Sequence, residues 1–266
     1  MSISEPGKTA NKTSVVIIGS GNVAWSLAQA LDSLQDISVS QVASPTPGHA
    51  VELCSRLSDA EAVTDISLIR PDADFYIIAV KDGVVAQVAA SLPALSSKAI
   101  VAHTSGSIPL EALSLPRSGV FYPMQTFSRG QEVDMATVPF FIEATDSETY
   151  DRLASLARRL SPNVRGADSE TRSVLHASAV FACNFCNHLW AISEEVLRQK
   201  DIPFSVMKPL VEETVRKAFA SSPDLGQTGP AVRRDLTTIE RHAEIVGPPY
   251  DELYRTISES IMNRYK

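Results

Sequence analysis

The sequence predicts an α/β protein, a doubly wound parallel sheet followed by an all-helical region. Three observations carry that expectation. Short apolar runs rich in Val, Ile and Phe alternate with amphipathic helical stretches from residue 14 to about residue 167. Those runs are apolar nearly throughout rather than at every second position, which is the pattern of strands covered on both faces. Beyond residue 168 the strand pattern stops and long helical patterns replace it. The expected division is a tail over 1–13, a sheet domain over 14–167 and a helical domain over 168–266.

The elements follow in order. The polar stretch 1–13, with Pro6 and Gly7, lacks the apolar run of a secretory leader and reads as a loose tail. Strands are expected at 14–18, 38–43, 62–64, 75–80, 99–103, 119–122, 139–143 and 163–165. Between them Val23, Leu27, Ala28 and Leu31 recur at helical spacing, as do Val84, Val88 and Leu92. Residues 147–160 give a further helix with Tyr150, Leu153, Leu156, Ala157 and Leu160 on one stripe. Helices then cover about 170–200, 204–220, 230–245 and 248–265, broken by the Pro- and Gly-containing stretches between them.

Composition excludes several classes. The 266 residues hold 24 Lys and Arg against 31 Asp and Glu, a net charge of -7, so no basic surplus exists for a nucleic-acid backbone. The most apolar long segment, 174–192, is interrupted by His176, Asn184, Asn187 and His188, which describes a buried helix and not a membrane span. Three cysteines imply no disulfide framework, and a soluble, cytoplasmic setting is expected. Cys183 and Cys186 have C-x-x-C spacing, but no second ligand pair accompanies them and they fall in mid-helix. They are expected to be core packing, and no metal site is expected.

The most informative segment is Gly19-Ser20-Gly21-Asn22-Val23-Ala24, which closes an apolar strand and opens an amphipathic helix. That context gives a G-x-G pattern its meaning as a dinucleotide site. Gly19 permits a tight turn, Gly21 lets backbone approach a pyrophosphate, and Ala24 lets the helix pack close to the strand. The N–H groups of Asn22 and Val23 then meet the anion, with the helix dipole behind them. The alternative is a glycine turn that binds nothing. An NAD site carries Asp or Glu at the tip of the second strand. Here the tip reads Ala43-Ser44-Pro45-Thr46. Nothing there repels a 2′-phosphate, and the Ser44 and Thr46 hydroxyls suit one, so NADP is expected ahead of NAD. No Arg or Lys is adjacent, and His49 is the nearest cation in sequence.

His103, Thr104, Ser105 and Gly106 follow a predicted parallel strand, at the carboxyl edge where open α/β sheets bind ligands. His103 has the chemistry of a proton donor or acceptor near neutral pH, and Ser105 that of a group orienting a carbonyl or carboxylate. The same segment also reads as a polar loop capping the next short helix, with Ser107 as N-cap.

Further landmarks are Ile78-Ala79-Val80-Lys81-Asp82, Tyr122-Pro123-Met124-Gln125-Thr126-Phe127, the run from His176 to Asn184, and Gly229-Pro230-Ala231-Val232-Arg233-Arg234-Asp235. In their order and spacing, together with the glycine turn and the His103 loop, the chain resembles a bacterial family of NADP-dependent oxidoreductases. Its members join a Rossmann domain, similar to those of coenzyme-F420-dependent NADP oxidoreductase and pyrroline-5-carboxylate reductase, to a helical domain of uncharacterised function. The resemblance covers nearly the whole chain beyond the tail. It implies the fold and the cofactor but no substrate. At the end of the fourth strand Val80 and Lys81 are cofactor-binding candidates, Lys81 and Asp82 bordering the nicotinamide ribose or else standing as solvated loop charges. Arg234 departs from it, standing where Gly is expected, so the turn before Asp235 is expected to differ.

The resemblance also implies that the first helix of the second domain runs past the nicotinamide, where related dehydrogenases carry a catalytic Lys and an Asn. No Lys occurs between Lys98 and Lys200, so His176 is the expected substitute. Asn184 lies about 80° round an ideal helix from it. A hydrogen-bonded core histidine and an interhelical asparagine are the competing reading. Gln125 and Arg233 are substrate-binding candidates, Arg233 as a bidentate clamp for carboxylate or phosphate, or else as part of a solvated, ion-paired helix.

The leading expectation is thus a reductase or dehydrogenase that uses NADP to move a hydride to or from a small polar substrate in a cleft between the domains. His176 or His103 handles the proton. The other reading is an NADP(H)-binding sensor or interaction protein without turnover. Four helices cannot easily bury all their apolar stripes against one another, which predicts a homodimer through the helical domain.

Overall fold

The computed structural model describes residues 12–265. The expected tail therefore falls almost wholly outside the described residues, and Thr13, assigned to it, instead opens the first strand. The eight strands are β1 (Thr13–Ile18), β2 (Ile37–Ala43), β3 (Glu61–Val63), β4 (Phe75–Ile78), β5 (Ile100–His103), β6 (Ser118–Pro123), β7 (Phe140–Ala144) and β8 (Val164–Gly166). They form one sheet of order β3-β2-β1-β4-β5-β6-β7-β8. Neighbours are parallel except β6 and β7, which run antiparallel. That exception has a local cause: residues 124–139 carry only a short 3-10 turn, Met135–Thr137, and no helix to return the chain for a parallel crossover.

The helices of the sheet region are α1 (Asn22–Asp32), α2 (Pro47–Cys54), α3 (Val85–Ala90), α4 (Ser147–Arg158) and α5 (Ser169–Ala179). In α1 the predicted stripe is buried through Leu27, Ala28 and Leu31, with Ala24 beside them. It packs with Leu153 and Leu156 of α4 on one face of the sheet, against Ile17, Ile77 and Phe121. The other face buries Val16, Tyr76 and Ile78 under Val85 and Ala89 of α3. Both faces of the strands are covered, which is why their sequences read as continuous apolar runs. Helix α4 starts where Asp146 caps it, accepting from the Thr149 N–H at 2.8 Å.

The chain winds outward from β1 through β2 to β3, then crosses back to lay β4 on the other side of β1. Connections leaving β1 and β4 therefore diverge, and a crevice opens at the carboxyl ends of those two strands.

The chain divides into two compact units after Ala179. The sequence places the division near residue 168, but α5 belongs with the sheet. The reason is Arg172, a fully buried side chain. Its guanidinium pairs with Glu143 of β7 through Nη1 and donates to the Ile108 carbonyl through Nη2 at 2.7 Å. Ser169, one turn earlier, donates its hydroxyl to Glu143 at 2.9 Å.

The second unit holds α6 (Cys186–Arg198), α7 (Lys208–Ala220), the single turn α8 (Pro223–Gly226), α9 (Leu236–Val246) and α10 (Asp251–Arg264). A regular helix over 170–200 is not what forms: Val180–Phe185 adopts π geometry. Cys186 donates its thiol to the Phe181 carbonyl five residues back, at 3.4 Å, in keeping with that wider turn. Cys183 is exposed and Cys186 half-buried, so neither packs a core in the chain as it stands. Arg234 has φ of 55°, the left-handed conformation that costs an L-residue about 1 kcal/mol and Gly nothing. The turn expected to differ at this departure thus keeps a glycine-type backbone, and Arg234 adds a hydrogen bond to the Met262 carbonyl at 3.1 Å.

Candidate functional site

The glycine turn lies at the β1/β4 crevice. Gly19 has φ of 123°, and a Cβ there would come within 2.1 Å of the Ala79 carbonyl oxygen. Its glycine is demanded by the fold. Gly21 is the opposite case, with nothing within 4 Å of a notional Cβ. Open space above Gly21 is what a pyrophosphate lying on the backbone needs. Gly21 is the N-cap of α1 and supplies no side-chain hydrogen bond. The N–H groups of Asn22 and Val23 find no acceptor among the described residues, which leaves them directed at the crevice with the helix dipole.

Above this turn lies a cleft of about 860 Å³, within the range of cofactor sites. Gly19, Ser20, Gly21, Asn22 and Val23 form its floor. Val80, Lys81 and Thr104 close one side, and Ser44 and Pro45 the β2 tip. Ile66, Val84 and Val88 give an apolar wall suited to a flat base. Of the predicted cofactor residues, Ala24 is fully buried and holds α1 against the sheet rather than lining the cleft. Thr46 is exposed as the N-cap of α2, outside the cleft lining. Ser44 bonds Ser20, hydroxyl to hydroxyl at 2.9 Å, which locks the β2 tip to the glycine turn. These residues fit a dinucleotide: free N–H groups for phosphate, apolar walls for a base and no carboxylate at the β2 tip.

Two residues beyond Thr104 the chain reaches a second cluster. The Tyr122 hydroxyl, at the end of β6, lies 3.3 Å from Nδ1 of His176 on α5. Gly106 makes the approach possible, since a Cβ there would stand 2.7 Å from the Tyr122 ring and 3.0 Å from the imidazole. Burial holds the Tyr122 phenol above its ordinary pKa, with Arg172 opposing, so at neutral pH it is protonated and able to donate. With the phenol donating to Nδ1, a neutral His176 carries its own proton on Nε2. His176 is itself exposed, which leaves Nε2 open to a substrate.

His103 is different. It is fully buried, its Nδ1 accepts the Ser105 N–H at 3.2 Å, and Nε2 has no hydrogen-bond partner. Burial and then the Arg172 charge push its pKa down to about 4. At cellular pH it is a neutral residue inside the fold, shaping the β5 loop, with no path to a ligand. Ser105 is likewise occupied with the loop: its hydroxyl oxygen accepts the N–H groups of Ser107 and Ile108, each at 3.1 Å. Ser107 caps no helix here. It donates to Asp82, tying this loop to the segment after β4.

The remaining candidates are exposed residues. Gln125 is exposed, and its side-chain oxygen accepts from the neighbouring Thr126 N–H at 2.8 Å. Asn184 and Arg233 are exposed residues of the second unit. The π geometry over 180–185 also removes the regular-helix spacing expected between His176 and Asn184. Sequence does not single out Tyr122, Arg172 and Arg129 as site residues, and each is brought in by contacts 29 to 109 residues distant in sequence. The signal within reach was Arg172, four residues before His176 and hence on the same helical face. Among the described residues no cluster of His, Cys, Asp and Glu is arranged to hold a metal ion, and no helix is long and apolar enough to cross a membrane.

Comparison with known proteins agrees with this geometry. Residues 14–106 match the family of NADP oxidoreductases described as coenzyme F420-dependent. Residues 138–261 match a domain family of unknown function, DUF2520. Among curated proteins no significant match is found. A crystal structure from Bacteroides fragilis, provisionally described as an NADP oxidoreductase, is 41% identical over 95% of this chain and 99% of its own, with a TM-score of 0.90. A Thermotoga maritima protein, TM1727, shares 19% identity over 94% of this chain and 98% of its own, at a TM-score of 0.69. A reductive aminase from Aspergillus terreus, solved with NADPH and ethyl levulinate, shares 14% identity over 96% of this chain and the whole of its own, also at 0.69. The last two show likeness of fold alone. By its full-length likeness to the Bacteroides protein, and by the two matched domains in the same order, the chain belongs to the NADP oxidoreductase family that joins a Rossmann domain of the F420-dependent type to a DUF2520 domain.

Proposed function

We propose that the protein is a reductase or dehydrogenase that uses NADP and acts on a small polar carbonyl, imine or alcohol. The observation that carries this reading is the cleft above Gly21, where the unsatisfied N–H groups of α1 face open space at the β1/β4 crevice. A bound nicotinamide dinucleotide supplies or accepts a hydride. The chain's own part is to hold the phosphates on the Asn22 and Val23 N–H groups, wall the base with Ile66, Val84 and Val88, and manage a proton at His176. Reduction of a carbonyl or imine leaves a basic atom that needs a proton. Protonated His176 delivers it from Nε2–H and returns to the neutral imidazole, while the Tyr122 hydroxyl at Nδ1 holds the ring in place.

The experiment is a screen of ketone and imine pools with NADPH, and of 2-hydroxy-acid pools with NADP, followed by the nicotinamide absorbance. Turnover of one class supports the proposal. Firm dinucleotide binding without turnover of any pool transfers the protein to the sensor reading.

A further inference from the structure

The sequence leaves the β2 tip without a cation, yet the fold brings one to the glycine turn beside it. Arg129 sits in the connection between β6 and β7, more than 80 residues beyond Ser44. Its Nη2 donates to the carbonyl oxygen of Ser20, the middle residue of the glycine turn. The guanidinium carbon lies 5.3 Å from the centre of the Trp25 ring on α1. Nη1 stands 3.5 Å from the Glu52 carboxylate on α2. A side chain touching the glycine turn, α1 and α2 at once is held beside the turn, next to Ser20, which itself lines the cleft. The Ser20–Ser44 hydroxyl pair joins its anchor point directly to that tip.

We propose that Arg129 is the 2′-phosphate clamp of the cofactor site, supplying from a distant loop the positive charge that Ser44-Pro45-Thr46 lacks. This rests on the reading of the cleft as a dinucleotide site. The geometry suits the role. Stacking on Trp25 and the bond to Ser20 hold the guanidinium in place, so little side-chain freedom remains to be lost on binding. Its other partner is weak: 3.5 Å is long for a charge-assisted hydrogen bond, and the Glu52 side chain is 55% exposed. A dianionic phosphate therefore displaces Glu52 readily. Ser44 and Pro45, which line the cleft, lead directly into the N-terminus of α2, whose N-cap is Thr46. The carboxylate that does line the cleft, Asp65, is already committed to the Ser67 N–H and hydroxyl at 2.9 and 2.8 Å.

The test is direct titration of NADPH, NADH, 2′,5′-ADP and 5′-ADP into the wild type, Arg129→Gln and Glu52→Gln, with the melting temperature of each variant recorded alone. Arg129→Gln is expected to weaken NADPH and 2′,5′-ADP by about ten- to a hundredfold, the loss of one charge-assisted contact, and to leave NADH and 5′-ADP within about threefold. Glu52→Gln is expected to tighten NADPH and 2′,5′-ADP a few-fold by removing the competitor. Equal losses for both members of each pair overturn the clamp and make Arg129 a strap on the turn, and an unchanged NADPH affinity overturns it too. In both cases wild-type binding leaves the dinucleotide reading intact. A wild type that binds none of the four removes that reading and the clamp with it.

Discussion

The Tyr122 hydroxyl meets Nδ1 of His176 at 3.3 Å, across 54 residues of sequence and between a strand end and a helix. This pair places the imidazole, because the phenol engages Nδ1 and the ring is otherwise exposed. Once a substrate is in hand, His176→Gln should lower turnover by about a hundredfold or more and leave NADPH affinity nearly intact. Tyr122→Phe should cost less, about tenfold, and alter the pH profile of kcat. Unchanged turnover in His176→Gln, with a loss in His103→Gln instead, would move the role to the loop after β5.

The two glycines of the turn separate binding from folding. Gly21→Val should abolish dinucleotide binding and keep the melting temperature within a few degrees, because a Cβ there meets nothing within 4 Å. Gly19→Val should instead destabilise the protein by at least about 2 kcal/mol, from the clash with the Ala79 carbonyl and a φ of 123°. Thermal melts with and without NADPH check both. A Gly21→Val protein that still binds would show that phosphate does not lie on this turn.

His103 makes stability depend on pH on the acid side. Its pKa is depressed from the ordinary 6.5 to about 4 in the folded protein, by burial first and Arg172 second. Between those values the unfolded chain binds the proton and the folded chain does not. Stability is therefore fully present above about pH 6.5, falls as the pH drops towards 4, and levels off below. The loss expected from this group is roughly 2 kcal/mol by pH 5 and 3 kcal/mol by pH 4. Urea unfolding from pH 7 to 4 measures it. His103→Asn should flatten that slope, and an unchanged slope would mean that His103 protonates without penalty.

The strands were legible because both faces of the sheet are covered, so β1, β4 and β5 announce themselves as apolar runs, and even the three-residue β3 was found. The glycine turn was legible because its chemistry is local. His103 was harder, since a histidine at a strand end reads alike whether it faces solvent or the core; only the fold, with Arg172 and the β5 loop around it, decides. Tyr122, Arg172 and Arg129 act through partners far away in sequence, where periodicity carries no information. The division of the chain falls after α5 and not before it because the buried Arg172–Glu143 pair binds α5 to β7, a contact that periodicity does not reveal.

The second unit predicts an assembly. Among its described residues only Ala231, Ile239, Ala243 and Ser258 are buried, while Phe219, Leu225 and Phe181 are 89%, 80% and 71% exposed. Apolar surface on this scale calls for cover, and a second copy of the chain is the default partner for an exposed helical face. We therefore expect a homodimer in sedimentation at micromolar concentration, and a shift towards monomer in Phe219→Glu. A wild-type monomer under those conditions would contradict the expectation.

The central claim is that the cleft above Gly21 is an NADP site. Calorimetric titration of the wild type with NADPH and NADH tests it most directly. Saturable one-to-one binding per chain is expected, with NADPH tighter by about tenfold or more, because the β2 tip carries hydroxyls and no carboxylate. Equal or tighter binding of NADH, or no binding of either dinucleotide, would contradict it.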